Sequence, residues 1–347
     1  MKTFLKKFFK ALGVTVLAVL LLWLVCFILP KPQNFALANP MLKDSPDSLP
    51  ILIAHGGGNK EFPDNTLEAF YNAYSVDPRV MMETDVSITK DGVVILSHDV
   101  RLDRKTNVTG EIADWNYADL IAQKVDFGYT NETKSQVLVE GSERKKFTTE
   151  DGRNVTPLDV PYPEGVQPRD SEVFLATTLE DLIVGFPVSR INVEIKQSGE
   201  LGMQCMQEVL RLLEKHNAWD RVVLASFHDE IYNEYVRLQK AGEVPQTFMY
   251  SPGTGGATKF VVLHLLGLDL FFRDGMCVFQ LPTEEIGITL ATEYLVDTAH
   301  RHNLTVHYWT INDRDEMRML IGIGADGIMT DYPHRLAEVY AEYAEAE

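Results

Sequence analysis

From Ile51 onward, short runs of apolar, β-branched-rich residues alternate with longer stretches whose apolar positions recur every three to four residues. The short runs fall at 51–55, 79–86, 92–97, 190–195, 221–226, 245–250, 276–280, 304–309 and 326–330. The helical stretches fall at 65–75, 178–184, 200–217, 228–241, 256–266, 284–302, 313–322 and 333–345. Apolar strands separated by amphipathic helices predict βαβ units and a parallel sheet covered on both faces. A closed α/β barrel needs eight such strands. Nine candidates are present, so one of them, 92–97 or 276–280, is peripheral.

Two segments break the rhythm. Residues 127–174 are polar, with a charged patch from Glu140 to Lys146 and prolines at 157, 161, 163 and 168. A loop of this length inside a compact domain is either functional or solvated, and an insertion over the mouth of the barrel is the functional form. The second break is N-terminal. Ala11 to Leu29 carry no charge, and an apolar run of about 20 residues is long enough to cross a bilayer as a helix.

Lys2, Lys6, Lys7 and Lys10 precede that run and only Lys31 follows it closely, so the positive-inside rule leaves the lysine-bearing end in the cytoplasm and exports the remainder. The alternative is a secreted protein cleaved from a signal peptide, for which Ala36-Leu37-Ala38 has the A-x-A form. The run exceeds the ~7–15 apolar residues usual in a signal, which favours an anchor. The expected organisation is a basic tail at 1–10, a transmembrane helix at 11–30, a proline-broken linker at 31–50, and one α/β unit at 51–347 with its insertion at 127–174.

Composition narrows the partners. The chain of 347 residues is 45% hydrophobic and has a formal net charge of −18. An acidic body repels phosphate backbones, so nucleic acid is not an expected partner. Three cysteines, with no CxxC and no zinc-ligand spacing, read as buried thiols; a Cys205–Cys277 bridge is the alternative.

Ionisable residues gather where apolar runs end, which is where a barrel displays its chemistry. His55 ends the run Ile51-Leu-Ile-Ala and is followed by three glycines, which permit close backbone approach to a ligand. Glu83 and Asp85 stand two apart on a strand, so both side chains share one face. Two carboxylates on one face repel unless a cation or proton lies between them, and hard oxygen donors suit Mg2+ or Ca2+. His98 follows another apolar run and has Asp99 beside it to orient its ring. Glu194 and Lys196 share a strand face, the first able to complete a carboxylate cluster and the second to neutralise a phosphate oxygen. Each segment alone is as compatible with a structural histidine or a surface ion pair. Together they supply the inventory for metal-assisted phosphodiester cleavage.

In their order along the chain these segments resemble the glycerophosphodiester phosphodiesterases. Ala54-His55-Gly56-Gly57 and Pro63-Asp64-Asn65-Thr66 look like that family's "HRG … PENT" signature. Glu83-Thr84-Asp85, Thr89-Lys90-Asp91-Gly92, His98-Asp99, Leu102-Asp103-Arg104, Val193-Glu194-Ile195-Lys196, Trp309-Thr310-Ile311-Asn312 and Thr330-Asp331-Tyr332-Pro333 continue it. The resemblance implies a TIM (β/α)8 barrel with an insertion. It implies hydrolysis of glycerophosphodiesters to sn-glycerol 3-phosphate and an alcohol. His55 and His98 match the catalytic pair, Glu83, Asp85 and Glu194 the ligands of one divalent metal ion, and Lys196 a residue near the phosphate. Trp309 looks like the aromatic that lines the glycerol pocket.

One departure stands out: the arginine usual after the first histidine is Gly56 here, leaving Lys60, the N–H groups of the glycine run at Gly56 and Gly57, or nothing in its place to meet phosphate. An anchored domain facing a bilayer also suits a lysophospholipid substrate, as in a lysophospholipase D, or a cell-wall glycerophosphate polymer. A catalytically silent barrel acting as a binding protein is the reading outside enzymology.

Overall fold

The computed structural model describes residues 2–45, 47–130 and 135–344. Its strands are β1 (Ile51–Ala54), β2 (Met81–Ile88), β3 (Val94–Leu96), β4 (Tyr129–Thr130), β5 (Lys145–Lys146), β6 (Ile191–Ile195), β7 (Val222–Ala225), β8 (Met249–Ser251), β9 (Val278–Leu281), β10 (Glu284–Glu285), β11 (Ile288–Thr289), β12 (Thr305–Tyr308) and β13 (Gly327–Thr330). Its helices are α1 (Lys2–Ile28), α2 (Leu67–Val76), α3 (Tyr117–Ala122), α4 (Leu179–Gly185), α5 (Gly199–Lys215), α6 (Asp229–Ala241), α7 (Thr254–Leu265), α8 (Glu293–Arg301), α9 (Arg314–Gly322) and α10 (Pro333–Ala344).

Eight strands run in the order β8-β7-β6-β2-β1-β13-β12-β9, every neighbouring pair parallel. The ring is nearly closed, its two ends joined by a backbone hydrogen bond from Cys277 to Tyr250. The ninth candidate, 92–97, is the peripheral one. Thr89–Gly92 forms a tight turn with Gly92 at φ +83, so β3 folds back antiparallel on β2 instead of entering the ring. The 276–280 run supplies β9 and belongs to the barrel.

The helix expected over 284–302 is a correction. Only Glu293–Arg301 is helical. Residues 284–289 form the β10–β11 hairpin, turned at Ile286 and Gly287, whose φ values of +51 and +72 no helix contains. Elsewhere short polar residues start the helices: Thr66, Thr178, Thr292 and Asp313 each accept a hydrogen bond from a first-turn N–H.

Helices and strands bury one large apolar layer between them, and a second, smaller core fills the barrel. In that inner core Ile51, Ile53, Met81, Val223 and Met329 meet Phe35 and Met41 from the preceding segment. Residues 31–50 are therefore not a free tether. Asn39 donates to the Cys277 carbonyl at 2.6 Å, and the Met41 carbonyl accepts from His307 Nε2 at 3.2 Å. Cys205 and Cys277 are buried free thiols, so the alternative of a bridge between them is discarded. Helix α1 starts at Lys2, ahead of the apolar run, and its span is long and apolar enough to cross a membrane.

Candidate active site and cation site

Strand register assembles the carboxylates. Asp85 of β2 lies directly opposite Glu194 of β6, and Glu83 stands two residues before Asp85 on the same face. One oxygen from each of the three side chains lies within 4.8 Å of the others. An ion making bonds of ~2.0–2.6 Å reaches oxygens up to about 5 Å apart, so the spacing fits one Mg2+ or Ca2+.

The electrostatics fit as well. Burial, and next the charge of Asp85, push the Glu83 carboxyl up to about 8. Burial and Asp85 likewise raise Glu194. Two buried acids held up beside a third carboxylate are what a bound cation relieves. Lys196 offsets one charge of the three, its Nζ 2.7 Å from Glu194 and 3.2 Å from Asp85. Gly56 N–H donates to Glu83 at 2.9 Å and Asn65 Nδ2 to Asp85 at 3.0 Å, which fixes both carboxylates in place.

The imidazoles are oriented in the same manner. His55 Nδ1 donates to Asp331 at 2.6 Å, leaving Nε2 directed toward Glu83, 4.0 Å away. Burial opposes a positive charge on His55, but the hydrogen bond to Asp331 and the charges of Glu83 and Asp85 outweigh it and raise the ring to about 9. His98 Nδ1 lies 2.9 Å from Asp99, whose other oxygen accepts from Arg104 Nε at 2.7 Å. The hydrogen bond to Asp99 raises His98, and its Nε2 is the nitrogen left for a ligand.

A cavity of about 550 Å³ takes in His55, His98, Glu83, Asp85, Glu194, Lys196 and Trp309 together. Gly56 and Gly57 are not in its lining. A Cβ on Gly57, at φ +85, would meet Ala69 Cβ at 2.7 Å, so this glycine serves close packing on α2. Gly56, at φ +55, has already given its N–H to Glu83. Lys60 is exposed and lines a separate cleft with Glu61, Glu150 and Arg153, so it does not take the place of the absent arginine in this cavity. None of the described residues of 127–174 lines the cavity either. The described part of that segment packs against neighbouring loops and α10, through Gln136 on the Val100 N–H, Leu138 on Asp103 and Glu150 on Arg335.

Sequence reasoning left Asp331, Asn65 and Asn312 without roles. Asp331 accepts from His55 on one oxygen and from Asn312 Nδ2 at 2.8 Å on the other. Gln280 and Asn192 also line the cavity, each with a buried polar atom lacking a protein partner. The only signal for Asp331, Asn65 and Asn312 was their place inside short motifs that end strands.

Comparison with known proteins gives one consistent result. The model of the glycerophosphoryl diester phosphodiesterase family matches residues 55–335. A probable glycerophosphodiester phosphodiesterase of Mycobacterium tuberculosis is 26% identical, the match covering 83% of this chain and 90% of that one. A lysophospholipase D of Rattus norvegicus is 23% identical over 82% of this chain and 84% of its own. Among solved structures, an Oleispira antarctica phosphodiesterase in complex with the product sn-glycerol-3-phosphate superposes with a TM-score of 0.56 at 19% identity, covering 84% of this chain and 97% of that chain.

Proposed function

This chain belongs to the glycerophosphoryl diester phosphodiesterase family, and on that premise we propose that it hydrolyses glycerophosphodiesters to sn-glycerol 3-phosphate and an alcohol. The observation that carries the proposal is the convergence of Glu83, Asp85 and Glu194 within 4.8 Å, in one cavity with both imidazoles. Those three carboxylates would hold the divalent cation, Mg2+ or Ca2+, with Lys196 balancing their charge. The cation, when bound, supplies positive charge at the phosphoryl oxygens.

The remaining work falls to the chain's own groups. Asp331 holds the proton on His55 Nδ1 and Asp99 holds it on His98 Nδ1, so each ring presents Nε2 for proton transfer. One imidazole takes a proton from the attacking group, a glycerol hydroxyl of the substrate or a water, and the other protonates the leaving alkoxide, which is a poor leaving group without it. Where the glycerol hydroxyl attacks, a water then opens the cyclic phosphate to sn-glycerol 3-phosphate. Trp309 gives the cavity an apolar face for the glycerol carbons. Helix α1 anchors the enzyme in a single pass, with the lysine-bearing end cytoplasmic and the barrel outside; a secreted form cleaved near Ala38 would have lost it.

The test is choline release from glycerophosphocholine by the full chain, after chelation and after restoring Mg2+ or Ca2+. Release that stops on chelation and returns with the metal supports the proposal. No cleavage of this or any model phosphodiester under restored metal overturns it, in favour of a silent binding barrel.

A further inference from the structure

The cavity's histidines, its lysine and three of its carboxylates gather at the strand ends. Its outer wall is apolar, made by Val261, Val262 and Leu265 of α7 together with Ile286, Ile288 and Leu290 of the hairpin segment. On α7 the lining positions 254, 257, 258, 261, 262 and 265 form one stripe at helical spacing, while Phe260 and His264 are buried elsewhere. So α7 spends one face on the core and a second face on the cavity, apolar at 257, 261, 262 and 265 and carrying Thr254 and Thr258 toward its start.

That wall continues onto the surface. Val262, Leu265, Leu266, Phe271 and Ile286 are all exposed, Ile286 by 91%. Ile286 also sits at the hairpin tip with φ +51, a conformation that disfavours β-branched residues and that Asn or Gly would adopt at less cost. A strained, fully exposed isoleucine at a turn suits insertion into an apolar medium, and a contiguous apolar edge of this kind marks an interaction surface.

The same edge is where α1 meets the barrel. Trp23 lies 4.0 Å from the position of a Cβ on Gly267, two residues beyond the end of α7. Lys31 bridges the Cys26 carbonyl and Asp269 at 2.5 and 2.9 Å, with both charged side chains less than a tenth exposed. The helix that can cross a bilayer is thus pinned to the segment between α7 and Phe271. Glu284 and Glu285 are exposed beside the tip, so attraction to anionic headgroups does not drive the contact; burial of apolar surface does.

We propose that the α7–hairpin rim rests in the surface of the bilayer that α1 crosses, and that the apolar wall guides the single acyl chain of a lysophospholipid from that bilayer to the carboxylate site. The inference rests on the glycerophosphodiester reading and adds the class of substrate and its route of entry. A long acyl chain matches an apolar wall that a glycerophosphate polymer, polar throughout, would leave unused.

The test uses the full chain reconstituted in phosphatidylcholine vesicles, with choline release followed from lysophosphatidylcholine and from glycerophosphocholine. The double variant Leu266→Asp/Phe271→Asp alters the exposed rim outside the cavity. It is expected to lower kcat/KM for the lysolipid at least tenfold and to change that for glycerophosphocholine less than twofold. An equal effect on both substrates, or no effect on either, overturns the proposal. Wild-type cleavage of glycerophosphocholine or of a glycerophosphate polymer but not of lysolipid overturns it while leaving the hydrolase reading intact. A second readout is independent of turnover. Ile286→Cys adds the one exposed thiol among the described residues, because Cys26, Cys205 and Cys277 are buried. An environment-sensitive fluorophore there should be quenched by spin-labelled lipid at shallow depth; a label that stays in water contradicts the docking, whatever the enzyme cleaves.

Discussion

Replacing Asp331 by Asn is nearly isosteric, yet it should remove most of the activity. Asp331 accepts two hydrogen bonds, from His55 Nδ1 at 2.6 Å and from Asn312 Nδ2 at 2.8 Å. An asparagine has one acceptor oxygen, so it can satisfy one of these partners and must turn an NH2 group toward the other. If the NH2 faces His55, the ring proton moves to Nε2, and the nitrogen directed at the cavity can no longer accept a proton. If it faces Asn312, His55 keeps its tautomer but loses the carboxylate charge that supports its protonated form. A hydrogen bond to a charged, shielded partner contributes about 1.5–3 kcal/mol, which corresponds to a fall of roughly 10- to 150-fold in kcat. A trapped tautomer raises the loss toward ~10³ or beyond, the scale of acid–base catalysis itself. The assay is choline release from glycerophosphocholine at saturating metal, with KM and the calorimetric metal affinity measured alongside. A loss confined to kcat is expected, because Asp331 belongs to none of the three carboxylates. Activity within threefold of wild type would refute a positioning role for Asp331.

Other parts of the structure make separate predictions. Glu194→Gln removes one charged donor of three and should weaken metal binding by at least ~10–100-fold, with part of the lost rate recovered at higher metal; unchanged affinity by calorimetry would remove Glu194 from the cation site. His307 is fully buried, and burial lowers it to about 4 from its ordinary 6.5, so the folded chain refuses a proton that the unfolded chain takes. The stability it supports is therefore complete above pH 6.5 and lost as pH falls toward 4, by up to about 3 kcal/mol; His307→Gln should flatten the urea midpoint over that window, and identical slopes in the two proteins would contradict this. Gly57→Ala would drive a Cβ to 2.7 Å from Ala69 Cβ at a φ of +85, and a cost of about 3 kcal/mol should lower the melting temperature by roughly 5–10 °C; an unchanged melt would show that α2 can yield.

Much of this molecule is legible before folding. Runs such as Ile51–Ala54 and Val222–Ala225 are apolar throughout because parallel barrel strands are covered on both faces, and that pattern is local. The carboxylates were legible for the same reason, since an i, i+2 pair on a strand must share a face. The hairpin at 284–289 was not. Its isoleucines at 286 and 288 merge with Leu290 and the apolar positions of α8 into one long helix-like stretch, and the single glycine at 287 is a weak stop signal. The partnership of His55 with Asp331 spans 276 residues and follows from β1 lying beside β13 in the ring, which no local pattern reveals. Gly56 and Gly57 look alike in sequence to glycines that cradle a ligand. Only the packing shows that one N–H is taken by Glu83 and that the other residue is pressed against Ala69. The segment at 31–50, rich in proline, conceals two apolar side chains, Phe35 and Met41, that enter the barrel core.

The proposed chemistry requires three carboxylates and two imidazoles to act together around one cation on a glycerophosphodiester. The measurement that tests it most directly compares His98→Ala with the wild-type chain for calorimetric metal binding and for release of sn-glycerol 3-phosphate. His98 hydrogen-bonds Asp99 and none of Glu83, Asp85 and Glu194, so the metal affinity should stay within about threefold while the rate of release falls by ~10²–10⁴. Release at the wild-type rate, or metal binding lost together with turnover, would contradict the division of labour described for this site.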